Sequence, residues 1–360
     1  MYKKLIYLLL ATIVLYGCKK EDVFTNNGTV TTTELQSGWT VPLDQLLLSQ
    51  LPEDRIQSID DPYFEKISNN NLNRNALYYA YFYDNTVKIY PQRIIGGHEI
   101  INDHIDNHYY TISYCPLTGS AIAWDRQING TITEFGVSGH LFKDNLVPYD
   151  RKRHSYWSQM RMHGIKGDNA GYRLKTEFLL TTSGNTIINS FPDALILTDT
   201  TGHQCTDSIC GGLKEIVDYG EPGDDDNSVI PLVGNYFGIV NIGLVNGGEG
   251  ALLFNYSMFN DSITLYHTNY RNSNVIIIGS KTHKFIVAFK NTTGNPSSDF
   301  FAVQNSLPVV FSDINGNKYD ILGVVISGPL VGTRLQSPPS YWANNTAWNR
   351  FFGSKLTVFE

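Results

Sequence analysis

The sequence predicts a β-dominated α+β fold built from two related β-rich halves, with few and short helices. Composition is the first observation behind this: 22 Tyr, 18 Phe and 31 Gly against only 4 Met, with strand-favouring residues set between turn formers. Strand-like runs separated by turn signals are the second. The third is an internal similarity at a fixed offset of 161 residues. Gly164 to Leu174 aligns without gaps with Val325 to Leu335, so that Gly167 and Gly328, Gly171 and Gly332, and Arg173 and Arg334 coincide.

Residues 1–17 carry Lys3 and Lys4 and then an apolar run from Leu5 to Tyr16, the pattern of a secretory leader. This run is too short to stay in a bilayer as a spanning helix. Leu15-Tyr16-Gly17-Cys18 resembles a lipobox, which makes Cys18 the expected site of palmitate-type acylation. Residues 18–40 then read as a flexible tether, polar and rich in Thr, Asn and Gly. The expected location is the cell envelope, lipid-anchored on an outer membrane, with the face it occupies left open. A net charge of −7 and the absence of any Lys/Arg cluster set nucleic-acid binding aside.

The first repeat is expected over 41–197, with strands at Tyr78–Tyr83, Tyr109–Tyr114, Ala121–Asp125 and Thr131–Val137. Residues 198–230 read as a linker. In an oxidising compartment its Cys205 and Cys210 are expected to pair, closing a small loop; His203 with both cysteines is the metal alternative. Asp224 to Asp226 read as a solvated turn rather than a calcium loop. The second repeat is expected over 231–360, with strands at Ala251–Tyr256, Ser262–His267, Asn274–Ile278, Lys284–Phe289 and Pro308–Phe311. Asn129-Gly130 and Asn315-Gly316 signal hairpin turns. Helices are expected at Pro91–Ile95, Thr186–Phe191 and Ser340–Phe352.

Chemistry is sought first at Cys115, the one cysteine with no other assignment, which follows a cluster of His98, Glu99, Asp103 and His104. One reading is a zinc or copper site with Cys115 as thiolate, His98, His104 or His140 as imidazoles, and Glu99 or Asp103 as ligand or outer partner. His98 and His104 lie six apart, so one short helix could not present both as an HExxH pair does. Another reading is a cysteine nucleophile of a hydrolase or transferase, with His98 or His140 as base and Asp103 or Glu99 orienting it. The plain alternative is a buried, inert Cys115 beside a Pro-Gly turn, with His98 capping a helix or bound to a carbonyl. Whether the protein is an enzyme stays open. A non-catalytic surface scaffold that binds a protein or glycan through aromatic-rich faces is the rival; whether the partner is a small molecule, a protein or a glycan stays open. Asp150, Arg151, Arg153, Trp157 and Gln159 could line a substrate cleft, but a strand-end salt bridge and a half-buried tryptophan are the ordinary reading, and Arg173 and Arg334 read as struts of the repeat. FIVAFK (Phe285 to Lys290) looks like the counterpart of SAIAWD (Ser120 to Asp125), which sets Cys115 opposite Ser280. Nothing near Ser280 matches the His98-Glu99 cluster, so any chemistry is expected in the first repeat.

Motifs YPQRIIGGHEIIND (Tyr90 to Asp103), YCPLTGSAIAWDR (Tyr114 to Arg126), FGVSG (Phe135 to Gly139), NLVPYDR (Asn145 to Arg151), YWSQ (Tyr156 to Gln159) and SGPLVGTRL (Ser327 to Leu335) resemble the bacterial domain of unknown function 3179 family. The resemblance implies no activity. It does imply a CxxC at Cys115, where this chain has Thr118 in place of the second cysteine. A half-Rieske reading of Cys115 to Ser120 fails, because the partner cysteine–histidine box is missing.

Overall fold

The computed structural model describes residues 38–69, 72–198, 235–241, 249–291 and 299–360. The expected leader, Cys18, most of the tether, the Cys205–Cys210 pair and Asp224 to Asp226 lie outside the described residues. Within them the chain is β-dominated and has three short α-helices: α1 (Gln92–His98), α2 (Gly184–Ser190) and α3 (Asn345–Phe352). No described helix is long and apolar enough to cross a membrane.

The first half has eleven principal strands: β1 (Leu77–Tyr83), β2 (Thr86–Pro91), β3 (Ile100–Ile105), β4 (His108–Cys115), β5 (Ser120–Asp125), β6 (Phe135–Phe142), β7 (Asn145–Asp150), β8 (Tyr156–Ser158), β9 (His163–Lys166), β10 (Leu179–Ser183) and β11 (Leu195–Leu197). They form three sheets, ordered β10-β1-β2-β11, β5-β4-β3 and β6-β7-β8-β9, each extended by shorter edge strands. The second half also has eleven: β12 (Tyr236–Asn241), β13 (Gly250–Asn255), β14 (Thr264–Tyr270), β15 (Ser273–Ser280), β16 (Phe285–Lys290), β17 (Phe300–Ala302), β18 (Val309–Asp313), β19 (Lys318–Asp320), β20 (Val325–Ser327), β21 (Ser340–Ala343) and β22 (Leu356–Val358). Their sheets run β21-β12-β13-β22, β16-β15-β14 and β17-β18-β19-β20, the order of the first half.

The likeness extends to individual hydrogen bonds. Gly171 N donates to Gly164 O at 2.8 Å, and Gly332 N to Val325 O at 2.8 Å. Leu174 N reaches Met162 O as Leu335 N reaches Gly323 O. Ser183 caps α2 through Thr186 N, and Asn344, 161 residues on, caps α3 through Ala347 N. Strand β11 joins β2 in parallel, as β22 joins β13. In the central hairpins Cys115 pairs with Ser120, and Ser280 with Phe285.

The halves share their cores. Trp124, Phe135 and Trp157 of the first half cluster with Tyr341, Trp348 and Phe351 of the second. Reciprocally, Ile89, Leu180 and Ile187 cluster with Ile276, Phe285 and Phe311. Helix α3 can do this because Ala347, Trp348, Phe351 and Phe352 share one face. Each large apolar side chain buried there contributes about 1.5–3 kcal/mol. The exchange continues at the hairpin tips. Thr118 O accepts from Asn344 N at 2.9 Å at the start of α3, and His283 O accepts from Thr182 Oγ1 at 2.7 Å beside the cap of α2.

Three expectations are corrected. Ser340–Ala343 is a strand rather than the start of a helix, because it pairs with Tyr236–Ile239 along a sheet edge. Thr131–Val137 divides into a two-residue strand and the start of β6. Trp39 and Thr40, read as tether, belong to the body: Trp39 is buried and Thr40 N donates to Ile165 O. The Asn129-Gly130 turn holds, with φ of 49° and 76° between its short strands.

Candidate functional site

Helix α1 ends at His98, and Glu99 turns the chain into β3 with a left-handed φ of 59°, its N–H bonded to Ile95 O. The turn brings His98 inward, where its Nδ1 lies 2.7 Å from Gln57 O. That is the carbonyl-bound histidine of the plain alternative.

From β3 onward, strand parity separates the candidates. Asp103 pairs with Tyr110 and shares its face. Its carboxylate is buried against the Lys88 ammonium, with Nζ to Oδ1 at 2.8 Å and Oδ2 at 2.9 Å. The Tyr90 and Tyr110 hydroxyls donate to Oδ2 at 2.6 and 3.0 Å. Burial, with Asp103 beside them, pushes both tyrosine hydroxyls well above their ordinary pKa. Cys115 lies an odd number of residues from Tyr110, so its thiol enters the opposite core, among Ile100, Ile122, Phe142 and Leu146. Asp103 therefore cannot orient a base for it. His104 is exposed, bonded through Nδ1 to Asp106 O at 3.0 Å. His140 belongs to another sheet and accepts from Ser49 N at 3.0 Å, its ring between Trp39 and Tyr156. Burial lowers its pKa.

Cys115 and Glu99 are both buried and interact through charge. Cys115 is 1% exposed; its Sγ lies 3.9 Å from Asp144 O, and Thr118 and the backbone of Leu146 also hydrogen-bond to it. Burial, and then the carboxyl of Glu99, raise the thiol's pKa. Glu99 is 8% exposed, and burial alone lifts its carboxyl to about 8. At neutral pH the pair is mainly an acid beside a thiol, the opposite of an activated thiolate. Among the described residues no group of three or more His, Cys, Asp or Glu side chains is arranged to hold a metal.

Other polar residues near the turn have structural partners. Gln159 Oε1 accepts from Ser120 Oγ and Asn145 Nδ2, both at 2.7 Å, and Asn145 Nδ2 also reaches Thr118 Oγ1 at 3.0 Å. The residue in place of the family's second cysteine is thus part of a buried hydroxyl–amide network. Asp150 accepts from Trp157 Nε1 and Asn169 Nδ2, while Arg151 ties Asp54, Asp60 and Glu134 together. The bracing reading of these residues fits. Sequence reasoning missed Lys88 and Asn145, whose partners are distant in the chain.

Fold and site together define a β-dominated protein of two like halves with one enclosed thiol. Residues 53–207 match the family described as protein of unknown function (DUF3179). No curated protein and no solved structure matches the chain.

Proposed function

We propose that this is a cell-envelope lipoprotein, anchored through Cys18, that acts by binding a partner rather than by chemistry at Cys115. The observation that carries this is the state of the thiol: enclosed, held protonated by burial, and hydrogen-bonded to no imidazole among the described residues. His98, His104 and His140 each serve a backbone group instead. Aromatic-rich faces are a poor basis for the binding, because most of the tyrosines and tryptophans lie in the cores. The shared sheet order and hydrogen bonds support reading the chain as an internal repeat of one unit.

The test is elemental analysis and thiol titration of the folded full chain beside Cys115→Ala. The expected result is no difference in zinc or copper, and a Cys115 thiol that reacts only after unfolding. One equivalent of metal lost in the variant would overturn the reading and restore the metal site.

One observation favours a second reading, thiol-dependent chemistry. Glu99 is an uncompensated buried acid in a left-handed conformation beside Cys115, the kind of strained, perturbed group that functional sites accumulate. Alkylation of native Cys115 that accelerates as pH passes 8 would support it; absence of reaction at any pH short of unfolding would sink it.

A further inference from the structure

The matching construction of the halves allows one seam to be compared with the other. In the first, Arg334 enters from the second half and is sandwiched between Phe82 and Phe178, its charge centre 5.1 and 4.8 Å from the rings. Its Nε donates to Leu322 O at 2.9 Å. Beside it Tyr81 stacks on Tyr110 at 3.7 Å and hydrogen-bonds to His108, which Tyr83 covers at 3.9 Å. Acidic Asp125 and Glu177 close the edge, bridged by Lys175. Rings and ion pairs fill this position.

At the corresponding position of the other seam, the strand pairings substitute Ile239 for Tyr81, Asn241 for Tyr83, Ser273 for His108 and Val275 for Tyr110. Smaller side chains leave a cleft of about 350 Å³. Charge reverses as well: Lys290 stands where Asp125 does, Arg271 where Asp106 does, and Pro338 where Glu177 does. Arg173, counterpart of Arg334, lines this cleft, and its Nη1 is buried with no hydrogen-bond partner among the described residues. Among the described residues the neighbouring carboxylate is Glu249, engaged at 2.7 Å by Arg161 and 4.0 Å from Arg173 Nη2. Burial lowers the pKa of Arg173, with Glu249 opposing the shift.

We propose that this cleft binds a small organic oxyanion, a carboxylate or phosphate monoester, with Arg173, Arg271 and Lys290 holding the charged group. Val240, Val275, Pro338 and Pro339 accept its apolar part. A buried guanidinium edge without an acceptor costs free energy that a planar or tetrahedral oxyanion relieves through charge-assisted hydrogen bonds. The apolar wall favours a ligand with a compact hydrocarbon body over a bare inorganic ion. The inference supplies a ligand class for the binding role proposed above and rests on it.

Calorimetric titration of the full chain with phenyl phosphate, benzoate and neutral benzyl alcohol tests it. Saturable one-site binding of phenyl phosphate or benzoate, absent for benzyl alcohol and weakened by added salt, is expected. Arg173→Met and Lys290→Gln are each expected to weaken it about tenfold. If only one oxyanion binds, the class narrows to that group and the proposal stands. Equal binding of benzyl alcohol, no saturable binding of any probe, or unchanged affinity in the variants would overturn it. Should Arg173→Met fail to fold, Lys290→Gln and the salt series on the unaltered chain still decide. Metal or thiol reactivity at Cys115 is read separately, so failure of the cleft and failure of the binding role are distinguishable.

Discussion

Two equivalent positions in this molecule have opposite fates. Where Tyr81, His108 and Tyr110 stack, Arg334 lies between two rings at the surface; where Ile239, Ser273 and Val275 replace them, Arg173 faces a cleft. Backbone pairing is alike in both, so the difference lies in side-chain volume and charge. Two halves with the same sheet order thus provide a control for each other, one position fulfilling structural needs and the other open to a ligand.

The strongest attack on this comparison is Tyr81→Ala. Its ring is fully buried, stacked and hydrogen-bonded, so urea denaturation is expected to show a loss of about 3–5 kcal/mol. A cost below about 1 kcal/mol, typical of a replaceable surface group, would mean that the stack does not close the seam.

A second contrast separates Glu99 from Thr264, which corresponds to it in the other half. Burial raises the Glu99 carboxyl from 4.5 to about 8. Between those values the native chain keeps a proton that the unfolded chain releases, so this group makes stability fall as pH rises from 4.5 to 8. Glu99→Gln is expected to flatten that fall, gaining on the order of a few kcal/mol at pH 8 and little at pH 4.5. Urea midpoints at the two pH values measure it, and parallel curves for both proteins would refute a neutral buried Glu99.

Lys290→Asp gives the open seam the acid of the closed one. A loss of about tenfold in phenyl phosphate affinity, about 1.4 kcal/mol, is expected with the fold intact. Unchanged affinity would show that the charge reversal at this position is incidental. The smallest effect belongs to Cys115→Ala, because the substitution removes one buried sulfur and the counterpart Ser280 serves its hairpin without sulfur. About 1 kcal/mol of lost stability is expected; a loss several times larger would reveal a role the enclosed thiol does not display.

The central hairpins were legible because β-branched and aromatic residues dominate Tyr109–Tyr114 and Val275–Ile278. Strand β3 was not, since Asn102-Asp103-His104 reads as polar loop. Its Asn102 and Asp103 are buried because Phe135 O and Lys88, distant in sequence, satisfy them. Nearness in sequence also misled the site reading, for Asp103 and Cys115 lie on opposite faces of one sheet. Residue pattern drew attention to Arg173 and Arg334 as a pair of struts. Arg334 braces as expected; only the residues supplied by other strands distinguish Arg173, and those contacts are not encoded near it.

The hairpin tips carry a consequence for how such a chain is made. Thr118 is bound by Asn344, and Trp124 and Trp157 lie against Trp348 and Phe351, so the core of the first half stays open until the C-terminal helix is available. A nascent or translocating polypeptide of this design is held back from early completion. Its N-terminal portion reaches its final form only once nearly the whole length has emerged.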